Sequence, residues 1–350
     1  AWNVHAVYKM NMKQILSIKN LSVSFTTNAG TVHAVRDISL NINEGETLAI
    51  VGESGCGKSV LCRSVMRILP DNAKIQGQIL TNGYDIPKLG EREMCKIRGA
   101  NFGMIFQDPM SALNPVVPIG KQITEALLRH KKMSKQEAMD RAVELLELVG
   151  IDNAKIRIRQ QPHFFSGGMR QRCVLAIALA LSPKILFADE PTTALDVTVQ
   201  ARMLDLLKDI QKKTGIAIVI VTHDLGVVAK IADKVAIMYA GKIIETGTAQ
   251  EIFHQARHPY TWALLGALPS LTAPKSKLNP IQGMPPSLIN PPKGDAFAYR
   301  NEYALAVDYT CHPPMFSLSD THAAATWLLD ERAPHIAPPQ FIQKTSLKKL

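Results

Sequence analysis

The sequence predicts an α/β fold in which a parallel sheet carries helices on its faces. A glycine-rich loop at residues 52–59 follows the apolar run 47–51 and opens a helical stretch. Beyond it, short apolar runs alternate with segments of helical spacing, as a parallel sheet requires because helical crossovers join its strands. Between residues 118 and 159 the strand signal is lost, which predicts an all-helical insert.

The strands are predicted from apolar alternation and from short apolar runs. Residues 15–25 and 32–42 alternate ahead of the glycine-rich loop and predict an antiparallel flap. The sheet itself is predicted from the runs 102–106, 185–188, 216–221 and 235–238, with a helix at 197–212. Ala240 and Gly241 then predict a turn between two short strands.

The insert and the C-terminal part are predicted as separate units. Helices are expected at 119–130 and 135–149, and Ser134 with Glu137 predicts a capping box for the second. Helical spacing returns at 248–255 and 260–268, prolines at 269–293 predict an extended segment, and 294–334 predicts a small aromatic-rich unit. The predicted division is an N-terminal extension (1–13), an α/β core (14–118 and 160–255), an overlapping helical subdomain (119–183) and a C-terminal extension (256–350).

Composition narrows the class of protein. The 350 residues are 46% hydrophobic, but the most apolar runs, 173–181 and 216–221, are too short to span a bilayer. No apolar signal segment opens the sequence, so we expect a cytosolic chain, with Met12 a candidate natural start. The net charge of +10 is compatible with binding to nucleic acid or to an anionic membrane leaflet. It is equally compatible with an excess of Lys and Arg on ordinary solvent-exposed faces. No basic block with interleaved aromatics occurs, and no nucleic-acid partner is predicted.

Five cysteines are scattered without a C-x-x-C pair. That pattern predicts reduced thiols and argues against a disulfide framework or a zinc site. Cys56 lies inside the glycine-rich loop. It is interpreted as a small filler residue, with a redox switch as the alternative.

The glycine-rich loop has the composition of a phosphate cradle. Its outer glycines let the backbone fold so that successive N–H groups point inward at a polyphosphate. Lys58 adds a positive charge over the β- and γ-phosphates, and the Ser59 hydroxyl is a ligand for Mg²⁺. The helix predicted at 58–69 directs its positive dipole end at the same place. A nucleoside triphosphate is therefore predicted to bind Gly52, Glu53, Ser54, Gly55, Cys56, Gly57, Lys58 and Ser59.

Side chains at the ends of other predicted strands supply the chemistry of hydrolysis. Asp189 and Glu190 are adjacent on a strand and point opposite ways. Asp189 is assigned to the Mg²⁺ shell, and Glu190 is assigned to polarise the attacking water. Gln107 offers an amide oxygen to the metal or the water, and His223 can hydrogen-bond the γ-phosphate. Alone, these residues are more typical of a solvated turn, a polar cap and a structural histidine; together, after a phosphate loop, they favour catalysis.

A second anion site is predicted at residues 165–172, FSGGMRQR, where a serine and two glycines open an apolar helix. One chain does not need two phosphate cradles for one nucleotide, whereas two chains packed head to tail do. Ser166, Gly167 and Gly168 are therefore predicted to contact the nucleotide of a second subunit. The alternative is an ordinary glycine-rich helix start.

These motifs resemble those of the ATP-binding subunits of ABC transporters. GESGCGKS is similar to Walker A, ILFADE to Walker B and FSGGM to the signature, with Phe165 and Met169 departing from the usual Leu and Gln. The resemblance implies a P-loop NTPase core with a RecA-like parallel sheet and an antiparallel β flap. It makes Gln107 the Q-loop glutamine, residues 194–196 the D-loop and His223 the switch histidine. It also extends the nucleotide-binding set to Val60, Asp196 and, under the adenine, Phe25.

A closer resemblance is to the oligopeptide and dipeptide permease ATPases. It is carried by residues 53–55, 106–115, 257–261 and 283–286. Many members of that family hold an iron–sulfur cluster through four cysteines in the C-terminal extension. The matching positions here are Asp295, Asn301, Asp308 and Thr326, and Cys311 lies off the pattern. No cluster is therefore predicted, because oxygen atoms replace the thiolates.

The resemblance implies an ATP- and Mg²⁺-dependent subunit of an oligopeptide importer, peripheral on the cytoplasmic face of the cell membrane. Its implied partners are a second homologous ATPase in a heterodimer, two integral-membrane permease subunits and an extracytoplasmic peptide-binding protein. Importers of dipeptides, nickel or sugars are alternatives within the family. A soluble ABC ATPase acting on ribosomes or DNA is an alternative from another class, but neither tandem cassettes nor a coiled-coil insert is found. A nonhydrolysing regulatory subunit is disfavoured by Glu190 and His223.

Overall fold

The computed structural model describes residues 13–108, 112–192, 196–268 and 281–344. Predictions on residues 1–12, 109–111, 193–195, 269–280 and 345–350 lie outside the described residues. The first part of the chain alternates strands and helices. Its elements are β1 (Gln14–Thr27), β2 (Gly30–Asn43), β3 (Thr47–Val51), α1 (Lys58–Val65), β4 (Ala73–Thr81), β5 (Tyr84–Asp85), α2 (Glu91–Asn101) and β6 (Phe102–Ile105).

The middle of the chain is helical, and a second series of strands follows it. The helical elements are α3 (Ile119–His130), α4 (Lys135–Leu148), α5 (Ala154–Arg157) and α6 (Gly167–Leu179). The series continues with β7 (Ile185–Asp189), α7 (Val197–Thr214), β8 (Ala217–Thr222), α8 (Leu225–Ile231), β9 (Lys234–Tyr239) and β10 (Lys242–Thr248). The chain then forms α9 (Ala249–Gln255), α10 (Pro259–Gly266), β11 (Phe316–Ser317), β12 (Ala323–Ala324) and α11 (Gln340–Lys344), with short 3₁₀ turns from Ala298 onward.

The larger sheet has eight strands in the order β11-β12-β10-β9-β3-β8-β7-β6. Strands β9, β3, β8, β7 and β6 are parallel, and their register pairs Val51 with Thr222 and Asp189 with Val221. The carboxyl ends of parallel strands lie at one edge of a sheet, which is where α/β proteins bind ligands. The residues that follow β3, β6, β7 and β8 therefore come together at one edge.

The smaller sheet is the predicted antiparallel flap, with strand order β2-β1-β4-β5. Its inner face joins a hydrophobic core that includes Leu21, Ile38, Ile50 and Leu61. Strands β4 and β5 were not predicted, because most residues of β4 are exposed or half-buried and its apolar alternation is weak. Both flap strands that were predicted are confirmed.

The predicted helices are confirmed, with small differences at several ends and the largest at the end of the first helix. Helix α3 has the predicted bounds, and the Ser134–Glu137 capping box is present: Ser134 Oγ accepts the Glu137 N–H at 3.2 Å and Glu137 Oε2 accepts the Ser134 N–H at 2.6 Å. The prediction that the helix after the phosphate loop reaches residue 69 is wrong. Helix α1 ends at Val65, because Arg67 adopts a left-handed conformation with φ 49°.

The C-terminal residues extend the core instead of packing only on themselves. Strand β12 pairs with β10 and adds an edge to the larger sheet. Phe297 is buried against Tyr239 and Tyr260, with ring centroids 5.4 and 5.3 Å away. The aromatic-rich unit predicted at 294–334 is therefore not held together by its own aromatic residues alone. The internal Phe316–Trp327 contact is present, but Phe297 belongs to the core of the sheet.

Asp295 is a buried carboxyl group whose titration affects stability. Its side chain is 3% exposed, and burial, with the nearby Asp308 carboxylate, raises its pKa to about 6, although a hydrogen bond from the Phe297 N–H opposes the shift. The pKa in the unfolded chain is about 3.9. Because the folded-state pKa is the higher one, the folded state loses stability as pH rises from about 4 through about 6.

We expect Asp295→Asn to raise the free energy of unfolding by about 2 kcal/mol at pH 8 and to leave it nearly unchanged at pH 4. Asparagine keeps the acceptor for the Phe297 N–H and removes the buried charge. Urea denaturation at both pH values measures the difference. Asp330→Asn is the control from the same extension, because hydrogen bonds from Arg332 lower the pKa of Asp330, and it should bring no gain at pH 8. A loss of stability in Asp295→Asn at pH 8 would contradict the prediction.

Candidate nucleotide-binding site

The phosphate loop is held in place by close backbone packing. A Cβ atom on Gly52 would overlap the Met238 carbonyl oxygen, and one on Gly57 would overlap the Ala34 carbonyl oxygen. Gly57 also has φ 103°, which side-chain-bearing residues rarely adopt. These two positions therefore need glycine for space and conformation. The loop lies between the end of β9 and strand β2.

Lys58 and Cys56 occupy the interior of this loop. Lys58 is 5% exposed, and its Nζ donates hydrogen bonds to the carbonyl oxygens of Gly52 and Glu53, both at 2.8 Å. Burial raises the pKa of the Cys56 thiol, although Lys58 Nζ lies 3.8 Å from its sulfur. A buried thiol with a raised pKa is a poor nucleophile at neutral pH, so the filler interpretation is favoured over the redox switch.

Ser59 and Asp189 meet at the base of the loop. Ser59 Oγ donates to Asp189 Oδ1 at 2.7 Å. The Asp189 side chain is fully buried, and its Oδ2 accepts no hydrogen bond from the described residues; the Arg63 guanidinium lies 3.6 Å away. Burial raises the pKa of Asp189, with the Ser59 hydrogen bond and Arg63 opposing the shift. A buried carboxylate beside a hydroxyl suits a hard divalent cation such as Mg²⁺.

Glu190 is the centre of a polar cluster at the ends of β6, β7 and β8. Its Oε2 accepts from Gln107 Nε2 at 3.4 Å, and its Oε1 lies 3.3 Å from His223 Nδ1. Glu190 has φ 48°, and its N–H donates to the Val221 carbonyl at 2.9 Å. A non-glycine residue in this conformation stores strain of about 1–3 kcal/mol, which is typical of functional sites. The structure thus brings the three predicted catalytic side chains together.

Ser166 and Asp196 are the N-cap residues of helices α6 and α7. Ser166 Oγ accepts the Met169 N–H at 3.4 Å at the start of α6, and Asp196 Oδ1 accepts the Val199 N–H at 2.9 Å at the start of α7. Ser166, Gly167 and Asp196 are exposed, whereas Gly168 is half-buried. Phe165, the departure from the usual Leu, is buried under Arg157, whose Cζ is 5.9 Å from the ring centroid.

Phe25 and Val60 lie on the flap side of the site. Both are half-buried and pack against the hydrophobic core shared by the flap and the larger sheet. Phe25 pairs with Val32 and Ala73 in the flap. Contact of Phe25 with an adenine stays a prediction.

Several residues of the site were missed by the sequence reasoning. Gln171, buried in α6, donates from Nε2 to the carbonyl oxygen of Pro191, the residue after Glu190. Tyr260 accepts the Glu53 N–H at 3.0 Å, and Arg300 forms a bidentate ion pair with the Glu53 carboxylate at 2.8 and 2.9 Å. No local spacing could have indicated these pairs, because Tyr260 and Arg300 lie 207 and 247 residues from Glu53. The resemblance of residues 53–55 and 257–261 to family motifs is the signal that could have indicated Glu53 and Tyr260.

The four positions that match iron–sulfur cysteines carry oxygen atoms that bind backbone amides. Asp295, Asn301 and Thr326 each accept the N–H two residues ahead, at 3.1, 3.0 and 3.3 Å. Asp308 Oδ2 accepts the Leu305 N–H at 2.7 Å. Each side chain stabilises a turn, and iron–sulfur clusters require thiolate or imidazole ligands. This donor set does not fit an iron–sulfur cluster.

Fold and site together define a P-loop nucleoside triphosphatase of the ABC class. Residues 35–193 match the sequence profile described as "ABC transporter", and residues 244–307 match "Oligopeptide/dipeptide transporter, C-terminal region". The chain belongs to the family of ATP-binding proteins of oligopeptide and dipeptide ABC transporters. The family and the fold class predicted from the sequence are confirmed.

Bacterial transport ATP-binding proteins are similar in sequence to almost the whole chain. It is 54% identical to the oligopeptide transport ATP-binding protein OppD of Bacillus subtilis, over 97% of this chain and 96% of that protein. It is also 54% identical to the dipeptide transport ATP-binding protein DppD of Lactococcus lactis, over 95% and 96%.

Solved structures of ABC cassettes share the fold. The dimeric cassette MJ0796, in a post-hydrolysis state with ADP and Pi, is 28% identical at a TM-score of 0.60, covering 67% of this chain and 99% of that one. CbiO1 of Clostridium perfringens is 31% identical at a TM-score of 0.61, covering 69% and 92%. Among the described residues, no helix combines the length and apolar character needed to cross a membrane.

Burial of the Asp189 charge predicts a stability effect. We expect Asp189→Asn to raise the free energy of unfolding by about 1 kcal/mol at pH 7.5 in EDTA, because the charged form is desolvated and Asn can still accept from Ser59. The folded-state pKa of Asp189 is raised, so the gain should shrink as pH falls toward it and the wild-type carboxyl is protonated. Urea denaturation measures both effects.

The control for this prediction is Asp205→Asn, at a side chain that is 60% exposed and paired with Lys230. It should change the free energy of unfolding by less than about 0.5 kcal/mol. If Asp189→Asn destabilises the protein at every pH, the attraction of Arg63 and Lys58 outweighs desolvation and the prediction is wrong.

Proposed function

We propose that this chain is the ATP-hydrolysing subunit of an ABC importer that powers the uptake of oligopeptides. The observation that carries the proposal is the 54% identity to an oligopeptide transport ATP-binding protein over 97% of this chain. That match includes the phosphate loop and the C-terminal region typical of oligopeptide and dipeptide transporters. Dipeptide import is the second candidate, because the dipeptide relative is equally identical.

The phosphate loop is proposed to hold the triphosphate. The backbone N–H groups of residues 52–60 and the Lys58 ammonium would bind the phosphates, and Phe25 would support the adenine. The hydroxyl of Ser59, the carboxylate of Asp189 and the amide oxygen of Gln107 would hold Mg²⁺. The buried, incompletely paired Asp189 Oδ2 supports this assignment. Bound Mg²⁺ would neutralise charge that develops on the phosphates.

Glu190 is proposed as the residue that polarises the attacking water, with Gln107 and His223 beside it. A general base must lie within hydrogen-bond reach of its water, and charge on a carboxylate is stabilised by donors around it. The 3.4 Å contact with Gln107 and the 3.3 Å contact with His223 supply such partners. His223, whose side chain is 62% exposed, is free to reach a γ-phosphate at the edge of the sheet.

We propose that a second subunit completes the site, and that Ser166, Gly167 and Asp196 are exposed and Gly168 is half-buried for this reason. Their known hydrogen bonds are helix caps, and the helix start at Ser166 leaves open space beside Gly167. The dimeric state named for a solved ABC cassette supports this arrangement. In the importer the partner is proposed to be a similar but distinct ATPase, bound with it to two permease subunits that receive peptide from an extracytoplasmic binding protein.

The division of labour along the chain follows from this assembly. We propose an ATP-binding core at 14–118 and 160–255, a helical subdomain at 119–183 and a C-terminal extension at 256–350. Residues 107–118, which join the core to α3, are the proposed hinge that carries motion to the permease. The complex would lie on the cytoplasmic face of the membrane.

We expect Glu190→Gln to reduce ATP turnover at least 100-fold while ATP binding is kept, because an amide cannot accept the water proton. Uptake of a labelled peptide in cells carrying only this variant should fall in parallel. Co-purification of the variant with permease subunits from solubilised membranes is the assembly control. Survival of both ATPase and uptake would contradict the role of Glu190, and co-purification with ribosomes or DNA would contradict the importer.

The oxygen side chains at Asp295, Asn301, Asp308 and Thr326 predict a protein without an iron–sulfur cluster. Anaerobically purified protein should contain far less than one iron atom per chain by metal analysis and show no charge-transfer absorbance in the visible range. Stoichiometric iron that survives gel filtration in a chelator would contradict this prediction.

A further inference from the structure

The phosphate loop carries a negative charge of its own at Glu53. Glu53 is the second residue of the loop, so its carboxylate lies within a Debye length, about 8–10 Å, of a bound triphosphate. An unpaired carboxylate there would repel the phosphates that the loop is built to hold. The loop therefore needs a cation to neutralise Glu53, and Lys58 does not serve, because its Nζ donates to backbone carbonyls.

The C-terminal extension supplies that cation. Arg300 Nη1 and Nη2 donate to Glu53 Oε2 and Oε1 at 2.8 and 2.9 Å, the bidentate geometry that only a guanidinium provides. The Arg300 side chain is 6% exposed and that of Glu53 is 23% exposed. The pair is thus largely shielded from solvent. An ion pair in such a place is only weakly screened, and the loss of one partner leaves the other charge poorly solvated and unpaired.

Arg300 is itself fixed from several sides. Its Nε donates to the Gln282 carbonyl at 2.8 Å, and its Nη1 also donates to the Tyr239 hydroxyl at 3.0 Å. The guanidinium carbon lies 5.7 Å from the Tyr239 ring centroid and 6.0 Å from that of Phe297. Although burial alone would lower it, the bonds to Glu53 and Tyr239 raise the pKa of Arg300. Its position is set by the extension and by the end of β9.

We propose that Arg300 is a positioning residue for the nucleotide site: it neutralises Glu53 and holds the start of the phosphate loop in its binding conformation. Tyr260 holds the same residue by accepting its N–H at 3.0 Å. The extension, whose first part matches the C-terminal region of oligopeptide and dipeptide transporters, therefore acts on the ATP site in the same chain. The proposal rests on the proposed function only for the identity of the nucleotide.

ATP affinity tests the proposal, measured on the purified full-length chain by calorimetric titration with ATP. Arg300→Met should weaken ATP binding about tenfold, since Glu53 is left without its cation. The double variant Arg300→Met with Glu53→Gln should recover most of the affinity, because no unpaired carboxylate is left. Arg300→Lys keeps the charge without the fork and should fall between wild type and Arg300→Met.

The matched control is Arg332→Met. Arg332 pairs with Asp330 in the same extension but is 85% exposed, so its loss should leave ATP affinity unchanged. In steady-state hydrolysis, Arg300→Met should raise KM for ATP about tenfold with kcat within about threefold, since the change acts on the bound loop and not on Glu190.

Outcomes that overturn the proposal are distinct from failure of the proposed function. If Arg300→Met binds ATP like wild type while its melting temperature falls, Arg300 only fastens the extension to the core. If the double variant binds no better than Arg300→Met, repulsion by Glu53 is not the cause. A wild-type chain that binds ATP but drives no peptide uptake contradicts the importer and leaves the affinity test intact. If Arg300→Met does not fold, the ATP affinities of Arg300→Lys and of the double variant are measured against wild type. The proposal predicts weaker binding by Arg300→Lys and near-wild-type binding by the double variant, and the opposite result would overturn it.

Discussion

The close packing of the phosphate loop between two sheets is the constraint on which the rest of the structure depends. Gly52 touches the Met238 carbonyl at the end of β9, and Gly57 touches the Ala34 carbonyl in β2. The Cys56 carbonyl accepts the Gly241 N–H at 3.0 Å, and Gly241 in turn accepts the Arg36 N–H at 2.7 Å. The loop therefore has its conformation only when the flap and the larger sheet are assembled around it.

This constraint explains why the flap and the C-terminal residues are parts of the nucleotide site. The flap contributes β2 to one wall, and the β9–β10 turn, with left-handed Ala240 and Gly241, contributes to the other. Tyr239, the last residue of β9, packs on Tyr260 with ring centroids 4.7 Å apart, which brings the start of α10 to Glu53. Phe297 fills the same aromatic cluster and brings Arg300 with it. A loop of eight residues is thus supported by chain segments more than 200 residues away.

The parts of this structure that the sequence predicted are those with local causes. The central strands are apolar because both faces are covered, and the Ser134–Glu137 box is a four-residue signal. Gln107, Glu190 and His223 were predicted to act in hydrolysis because each follows an apolar run in a chain that carries a phosphate loop. The structure brings them together, since the carboxyl ends of parallel strands lie at one edge of the sheet. Strand β4 was missed because its faces are largely exposed, and the Glu53–Arg300 pair was missed because tertiary contacts alone create it.

The buried charge of Asp189 links this architecture to the nucleotide. Burial disfavours its charged form, and its second oxygen has only a guanidinium 3.6 Å away as a partner among the described residues. A divalent cation bound there, as proposed for Mg²⁺, would remove this electrostatic penalty, and binding would then be favoured by the desolvation cost that the empty site carries. Glu190 carries strain in its backbone immediately after the same strand. Gln171 of α6 donates a hydrogen bond to the next carbonyl oxygen, that of Pro191, and so connects the residues after β7 to the helix that begins with Ser166. The residues that this chain is proposed to supply to two composite sites, Glu190 at its own nucleotide and Ser166 at that of a second subunit, are therefore connected by a buried hydrogen bond.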